Sequence, residues 1–248
     1  MGGGATLFCL LLDGWSDVGY PRDLLNAANC VIFDFDGPVC DLFAEYTASD
    51  VVKDLHTWLE KDLEVAVPPG KFADDPLGYL GLVEQSHPGD PCVEGLEKRL
   101  TEQEERAAES ARPTDCAAEL ICELVAVRVR LGIATNNSAA AAVAYLRRMR
   151  LDGSFGTHVH GRGQDIAKLK PDPDSLSRVL DSTGSKPEES VMIGDSSNDL
   201  IAADRLGVTF IAYAPESKKS RISSERIHER RWYGRMPVVT SLSELLGR

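Results

Sequence analysis

Hydrophobic and polar positions change rhythm along this chain. Short unbroken apolar runs that end in a carboxylate or a hydroxyl alternate with stretches of helical period. Val31-Ile32-Phe33, Leu131–Ala134 and Val191–Ile193 suit strands buried on both faces, as in a parallel sheet. From residue 114 onward the pattern predicts helices over 114–126, 138–149, 173–182 and 198–206. It predicts strands over 129–135, near 157–159, over 190–194 and over 208–213. Residues 237–247 are expected to add a short strand and a terminal helix. This alternation reads as an α/β protein with a doubly wound parallel sheet.

Residues 43–112 break the alternation. Val51, Val52, Leu55, Trp58 and Leu59 recur at helical spacing, as do Val93, Leu96 and Leu100 before a Glu-rich continuation. Pro68-Pro69-Gly70 and His87-Pro88-Gly89 mark loops. A helical insertion after the first strand is expected. Its residues Tyr46, His56, Trp58, Tyr79 and Arg99 spell no readable recognition code. The resulting division is an N-terminal extension over 1–20, a core formed by 21–42 with 113–248, and a helical insertion over 43–112.

The candidate chemistry sits where the apolar runs end. Val31–Phe33 runs into Asp34 and Asp36, and Gly37-Pro38 ends the strand. Side chains two apart on extended chain share a side. Both carboxylates should therefore emerge at the strand's carboxyl end, where open α/β sheets bind ligands. Two carboxylates so close resist joint ionisation unless a cation offsets them. Leu131–Ala134 runs into Thr135, Asn136, Asn137 and Ser138, and Ser138 can cap the next helix. Thr135 and the backbone N–H groups of that turn suit phosphoryl oxygens near a helix N-terminus. Lys170 precedes Pro171, which biases it to extended backbone, and it can neutralise a phosphate as a point charge. Val191–Ile193 leads through Gly194 to Asp195, placed to bind a hard cation through oxygen. Asp199 follows in the first turn of a helix.

These four pieces, in this order, resemble the haloacid dehalogenase-like hydrolases, and among them the helical-cap, phosphoglycolate phosphatase-like branch. The resemblance covers residues 25–214, with the stretch between the first two motifs matching only in length and helical character. It implies a Rossmannoid core with an inserted helical cap. It implies that Asp34 is the nucleophile forming an aspartyl-phosphate, and that Asp36 is the general acid and then base. Thr135, Asn136 and Lys170 would bind the phosphate. Asp34, the backbone carbonyl of Asp36, and Asp195 would hold Mg²⁺, with Asp199 orienting groups behind them. Asp36 argues against the dehalogenase and phosphonatase branches, and Phe35 against the ion-pump branch. Gly194-Asp195-Ser196 departs from the Glu-Asp-Ser of the β-phosphoglucomutase branch. Pro38 stands where the family commonly has threonine or valine, a departure that bears on the loop toward the cap. The implied activity is Mg²⁺-dependent hydrolysis of a small phosphorylated metabolite. Its alternatives are a phosphomutase of the β-phosphoglucomutase type and a ligand-binding or regulatory protein that barely turns over.

Charge and cysteines narrow the setting. A formal net charge of −12 argues against broad nucleic-acid affinity, which rests on cationic neutralisation of phosphate. The exception is residues 218–235, where seven basic residues face two acidic ones beside Trp232 and Tyr233. That segment reads as a solvated loop, with a docking patch for a polyanion as the sharper alternative. Six cysteines without a C-x-x-C pair point to buried free thiols in a reducing, cytoplasmic setting. Leu7–Leu12 is too short to span a membrane, and no basic residue precedes it, so neither an anchor nor a signal peptide is expected. His158 and His160 share one face of a strand, but further ligands for a metal are not evident nearby.

Overall fold

The computed structural model of the chain describes residues 20–65, 72–163, 165–215 and 236–247. The expected N-terminal extension, Tyr20 excepted, and the basic segment 218–235 lie outside the described residues. Six parallel strands form one sheet in the order β5-β4-β1-β6-β7-β8. They are β1 (Cys30–Phe33), β4 (Arg130–Ala134), β5 (Val159–His160), β6 (Ser190–Gly194), β7 (Thr209–Tyr213) and β8 (Val238–Val239). The chain leaves β1 toward β4 and β5 on one side, then returns to build β6, β7 and β8 on the other. The crevice at β1 is thus the topological switch point, where ligand sites of open α/β sheets form.

The period of two along the strands sorts side chains to two apolar layers. Val31, Phe33, Leu131, Ile133, Val191 and Ile193 face one layer. There they meet α1 (Pro21–Ala27), α5 (Ala117–Ala126) and α6 (Ala139–Met149). Cys30, Ile32, Met192 and Phe210 face the other. That layer is completed by α8 (Asp174–Thr183) and α9 (Ser197–Leu206). A doubly wound sheet buried on both faces is what the unbroken apolar runs predicted.

Between β1 and β4 lie α2 (Ala48–Thr57), a π-helical turn (Trp58–Asp62), α3 (Pro76–Ser86) and α4 (Pro91–Ser110). These helices surround an apolar centre of their own, including Val51, Leu55, Leu59, Leu80, Val83, Leu96 and Leu100. The residues that had spelled no code are partnered within this layer. The Arg99 guanidinium donates to both carboxylate oxygens of Asp54, His56 meets the Tyr79 hydroxyl at 3.0 Å, and Tyr46 donates to Gln103. The last turns of α4 behave differently: Ala107 and Ala108 belong to the core of the sheet. One helix therefore spans both layers.

Several elements differ from expectation. The helix expected from 114 begins at Ala117, because Arg112-Pro113 (β3) pairs antiparallel with Cys40-Asp41 (β2), and Thr114 donates from its N–H to Val39 and from its hydroxyl to Gly37. The strand expected near 157–159 runs over Val159–His160, after a turn at Gly156 with φ +56°. His158 and His160 both reach the Ser182 hydroxyl, at 3.1 and 2.9 Å. The expected terminal helix is one 3₁₀ turn, Leu242–Leu245, whose three-residue period buries both leucines. The sequence pattern missed α1 and the short α7 (Asp152–Phe155). Cys30, Cys40 and Cys92 are buried as expected, but Cys116 is half-buried and Cys122 is exposed on α5. No helix among the described residues is long and apolar enough to cross a membrane.

Leu96 is wholly buried in the centre of the helical layer. Leu96→Ala should cost about 2–5 kcal/mol, read as a lower urea midpoint. An unchanged midpoint would show that this centre contributes little.

Candidate active site

Three strand ends and one loop build the site. Asp34 follows β1, Thr135 follows β4 and Asp195 follows β6, while Lys170 comes from the loop after β5. Asp34, Asp36, Thr135, Asn136, Lys170, Asp195 and Asp199 all line one cavity of about 550 Å³. The seven candidate side chains of the four motifs therefore border the same cavity.

Lys170 is the centre of the arrangement. Its Nζ donates to Asp199 Oδ1 at 2.6 Å, to the Ala134 carbonyl at 2.7 Å and to Asp34 Oδ1 at 2.9 Å. An ammonium has three donors, and these contacts use all of them. Only 4% of the residue is exposed. Burial pulls the ammonium downward, but Asp199 and Asp34 outweigh it and hold Lys170 above the ordinary lysine range. Burial pushes the Asp34 carboxyl up to about 6, with Lys170 opposing the rise and Asp199 adding to it.

Each group is fixed by local structure. Asn136 accepts from the Lys170 N–H at 2.7 Å and donates to the Lys170 carbonyl at 3.0 Å, so its side chain clamps the lysine's backbone. The Thr135 hydroxyl accepts from the Asn137 N–H and donates to the Asn137 side chain. Ser138 caps α6, as its sequence position suggested. Ser196 caps α9 in a reciprocal capping box with Asp199. Asp199 Oδ2 accepts from Ser196 while Oδ1 accepts from Lys170, so one carboxylate ties the helix start to the lysine. Asp36 accepts from the Leu42 N–H at 3.0 Å. The turn containing Pro38 is closed by the N–H groups of Gly37, Val39 and Cys40, and the N–H that proline lacks plays no part in that closure.

Gly37 has a specific reason to be glycine. Its φ is +132°, a region that side chains disfavour, and a Cβ there would lie 2.5 Å from Asp195 Oδ2. The backbone after Asp36 thus passes directly against Asp195.

The donor set fits a hard divalent cation. Asp34, Asp195 and Asp199 each offer a carboxylate oxygen, all within 4.8 Å of one another and all buried. Oxygen donors of this kind suit Mg²⁺. Asp199 is already committed to Lys170 and Ser196, which leaves Asp34 and Asp195 as the carboxylates better suited to a metal. Charge supports the same conclusion: the buried carboxylates of Asp34, Asp195 and Asp199 face a single lysine. A second positive group would offset that excess.

Two residues of this region were missed by sequence reasoning. Glu104, on α4, lines the cavity and accepts from the Ser138 N–H at 2.8 Å and the Asn137 amide at 3.1 Å. Arg162 donates to both Glu104 oxygens, to Glu97 and to the Asn136 carbonyl. Both side chains are almost wholly buried. Their side chains reach partners 26 to 65 residues away in sequence, so no local pattern announces the pair. The one signal was Gly161-Arg162-Gly163, which fails as a dinucleotide loop but packs against the Asn137 turn through Arg162 N–H to Asn137 O.

With the fold and site in view, comparison with known proteins is informative. The profile of the haloacid dehalogenase-like hydrolase family matches residues 31–213, and the chain belongs to that family. The expectation of a hydrolase of this kind is borne out. A phosphoglycolate phosphatase of Rhodospirillum rubrum is 32% identical over 108 residues, 44% of each chain. The pyrophosphatase PpaX of Bacillus cereus is 24% identical over 184 residues, 72% of this chain and 80% of its own. CbbY of Rhodobacter sphaeroides, solved in complex with phosphate, superposes with a TM-score of 0.65 at 20% identity, over 88% of this chain and 96% of its own. That last likeness concerns the fold.

Glu104→Ala leaves Arg162 buried without its main counter-charge. The expected loss is about 3–5 kcal/mol in urea unfolding. Replacing both residues by leucine should recover part of it. A single variant as stable as the parent would contradict this account.

Proposed function

We propose that the chain is a Mg²⁺-dependent phosphomonoester hydrolase acting on a small phosphorylated metabolite. The observation that carries this reading is the convergence of Asp34, Asp36, Thr135, Lys170 and Asp195 on one cavity at the switch point of the sheet. The names of the phosphatase and pyrophosphatase relatives support the same reaction class.

In this proposal an Asp34 oxygen attacks phosphorus, and the bond from phosphorus to the leaving oxygen breaks. Asp36 gives its proton to that oxygen. The product is an aspartyl-phosphate on Asp34. Asp36, now a carboxylate, takes a proton from water as the water oxygen attacks phosphorus and frees Asp34. Thr135 turns its one hydroxyl proton from Asn137 to a phosphoryl oxygen, and Lys170 opposes the negative charge gathered there. Asp34, the Asp36 carbonyl and Asp195 would hold Mg²⁺. The ion supplies charge neutralisation at the phosphoryl oxygens when bound. Asp199 keeps Lys170 in place. The helices of 43–112 act as a cap over the cavity, to which Phe43, Ala48 and the start of α3 contribute walls.

Release of inorganic phosphate from p-nitrophenyl phosphate should require Mg²⁺ and vanish in Asp34→Asn. Folded protein that releases none with Mg²⁺ present would refute the proposal and favour a mutase or a binding role. Gly37→Ala should lower kcat/KM by about tenfold or more, the effect of about 1.4 kcal/mol in barrier height. Its methyl group would displace Asp195, so raising Mg²⁺ should restore part of the rate. Full activity in that variant would show that the close approach of Gly37 to Asp195 is not required.

A further inference from the structure

We infer that the site takes phosphomonoesters whose leaving alcohol is neutral or carries an amine, and disfavours those bearing a second anionic group. This rests on the phosphatase reading above and assigns a leaving-group class to that same cavity.

The argument begins with the cations available. Among the described residues lining the cavity, Lys170 is the one positive side chain. All three of its N–H groups are directed to Asp34, Asp199 and the Ala134 carbonyl, at the end where the phosphoryl group would sit. It cannot also serve a remote carboxylate or second phosphate. The nearest other buried cation, Arg162, is held by Glu104 and Glu97 and does not line the cavity.

The lining contributed by residues 43–112 has the opposite character. It is formed by Phe43, Ala48, Leu77 and the carboxylates of Asp74 and Asp75. An anionic leaving group could still be held by a helix N-terminus, since two of them reach this wall. Each already has its own acid. On α3, Asp75 accepts from the Gly78 N–H at 2.9 Å, and Pro76 has no N–H to give. On α2, the capping box of Thr47 and Asp50 occupies the first turn. Glu104, the remaining acidic group here, is balanced by Arg162. The described residues of this wall therefore present apolar surface and two carboxylates. A hydroxyl can donate to those carboxylates, an ammonium is attracted to them, and a carboxylate or phosphate is repelled.

Three two-carbon phosphates that differ only at the far end isolate the effect: phosphoethanolamine, 2-hydroxyethyl phosphate and phosphoglycolate. The full-length protein is assayed with Mg²⁺ on each, with p-nitrophenyl phosphate alongside. The amine and hydroxyl compounds should exceed phosphoglycolate in kcat/KM by about tenfold or more, equivalent to about 1.4 kcal/mol at the transition state. Asp74→Lys, on the exposed part of the wall, should shrink or reverse that ratio. Phosphoglycolate turned over as well as or better than the other two, while p-nitrophenyl phosphate is hydrolysed, would overturn this inference and leave the phosphatase reading standing. No phosphate release from any of the four would overturn both. A ratio unmoved by Asp74→Lys would overturn the assignment of selectivity to this wall.

Discussion

The site depends on one buried lysine. Lys170 joins the end of β1 through Asp34, the end of β4 through the Ala134 carbonyl, and the start of α9 through Asp199. Three elements distant in sequence are thus brought together around a single ammonium. The lysine remains charged because two carboxylates outweigh the cost of burying it. Those carboxylates in turn tolerate burial because the lysine is there. The balance is incomplete, since Asp195 adds a further carboxylate to the same cavity. The arrangement is an electrostatic frame whose clustered carboxylates suit a hard cation.

The second constraint is the way α4 ties the helical layer to this frame. Its first turns pack around Leu96 and Leu100 in the helical layer, and its last turns pack against the sheet. Between them Glu104 receives the Ser138 N–H and the Asn137 amide, and Arg162 closes the group from behind. The turn that carries Thr135 is therefore held from both layers.

Much of this was legible in the sequence, for identifiable reasons. Strands buried on both faces produce unbroken apolar runs, so β1, β4, β6 and β7 stood out. The residues ending those runs are polar in an apolar context, which exposed Asp34, Thr135 and Asp195. Lys170 was visible through its proline neighbour. What escaped was decided by long-range partners. Glu104 and Arg162 look like ordinary surface charges until the fold buries them together. The start of α5 shifted because β3 pairs with β2, a two-residue contact with no period to detect. The 3₁₀ turn at Leu242–Leu245 and an α-helix share the same leucines, and the pattern could not separate them. Asn136 was read as a phosphate ligand, and nothing in the sequence signals that its side chain also clamps the Lys170 backbone.

The central claim is that the buried carboxylates around Lys170 need a divalent cation, held through Asp34 and Asp195. Thermal unfolding as a function of Mg²⁺ tests it without relying on turnover. Binding to the folded state alone stabilises it by about 2.7 kcal/mol at a hundredfold excess over Kd. The melting temperature of the parent protein should therefore rise steadily with Mg²⁺, from a baseline set in chelator. Asp195→Asn should melt no lower than the parent in chelator, because it removes a repelled charge, and should gain little from Mg²⁺. A parent protein indifferent to millimolar Mg²⁺, or a variant that responds as the parent does, would contradict the account.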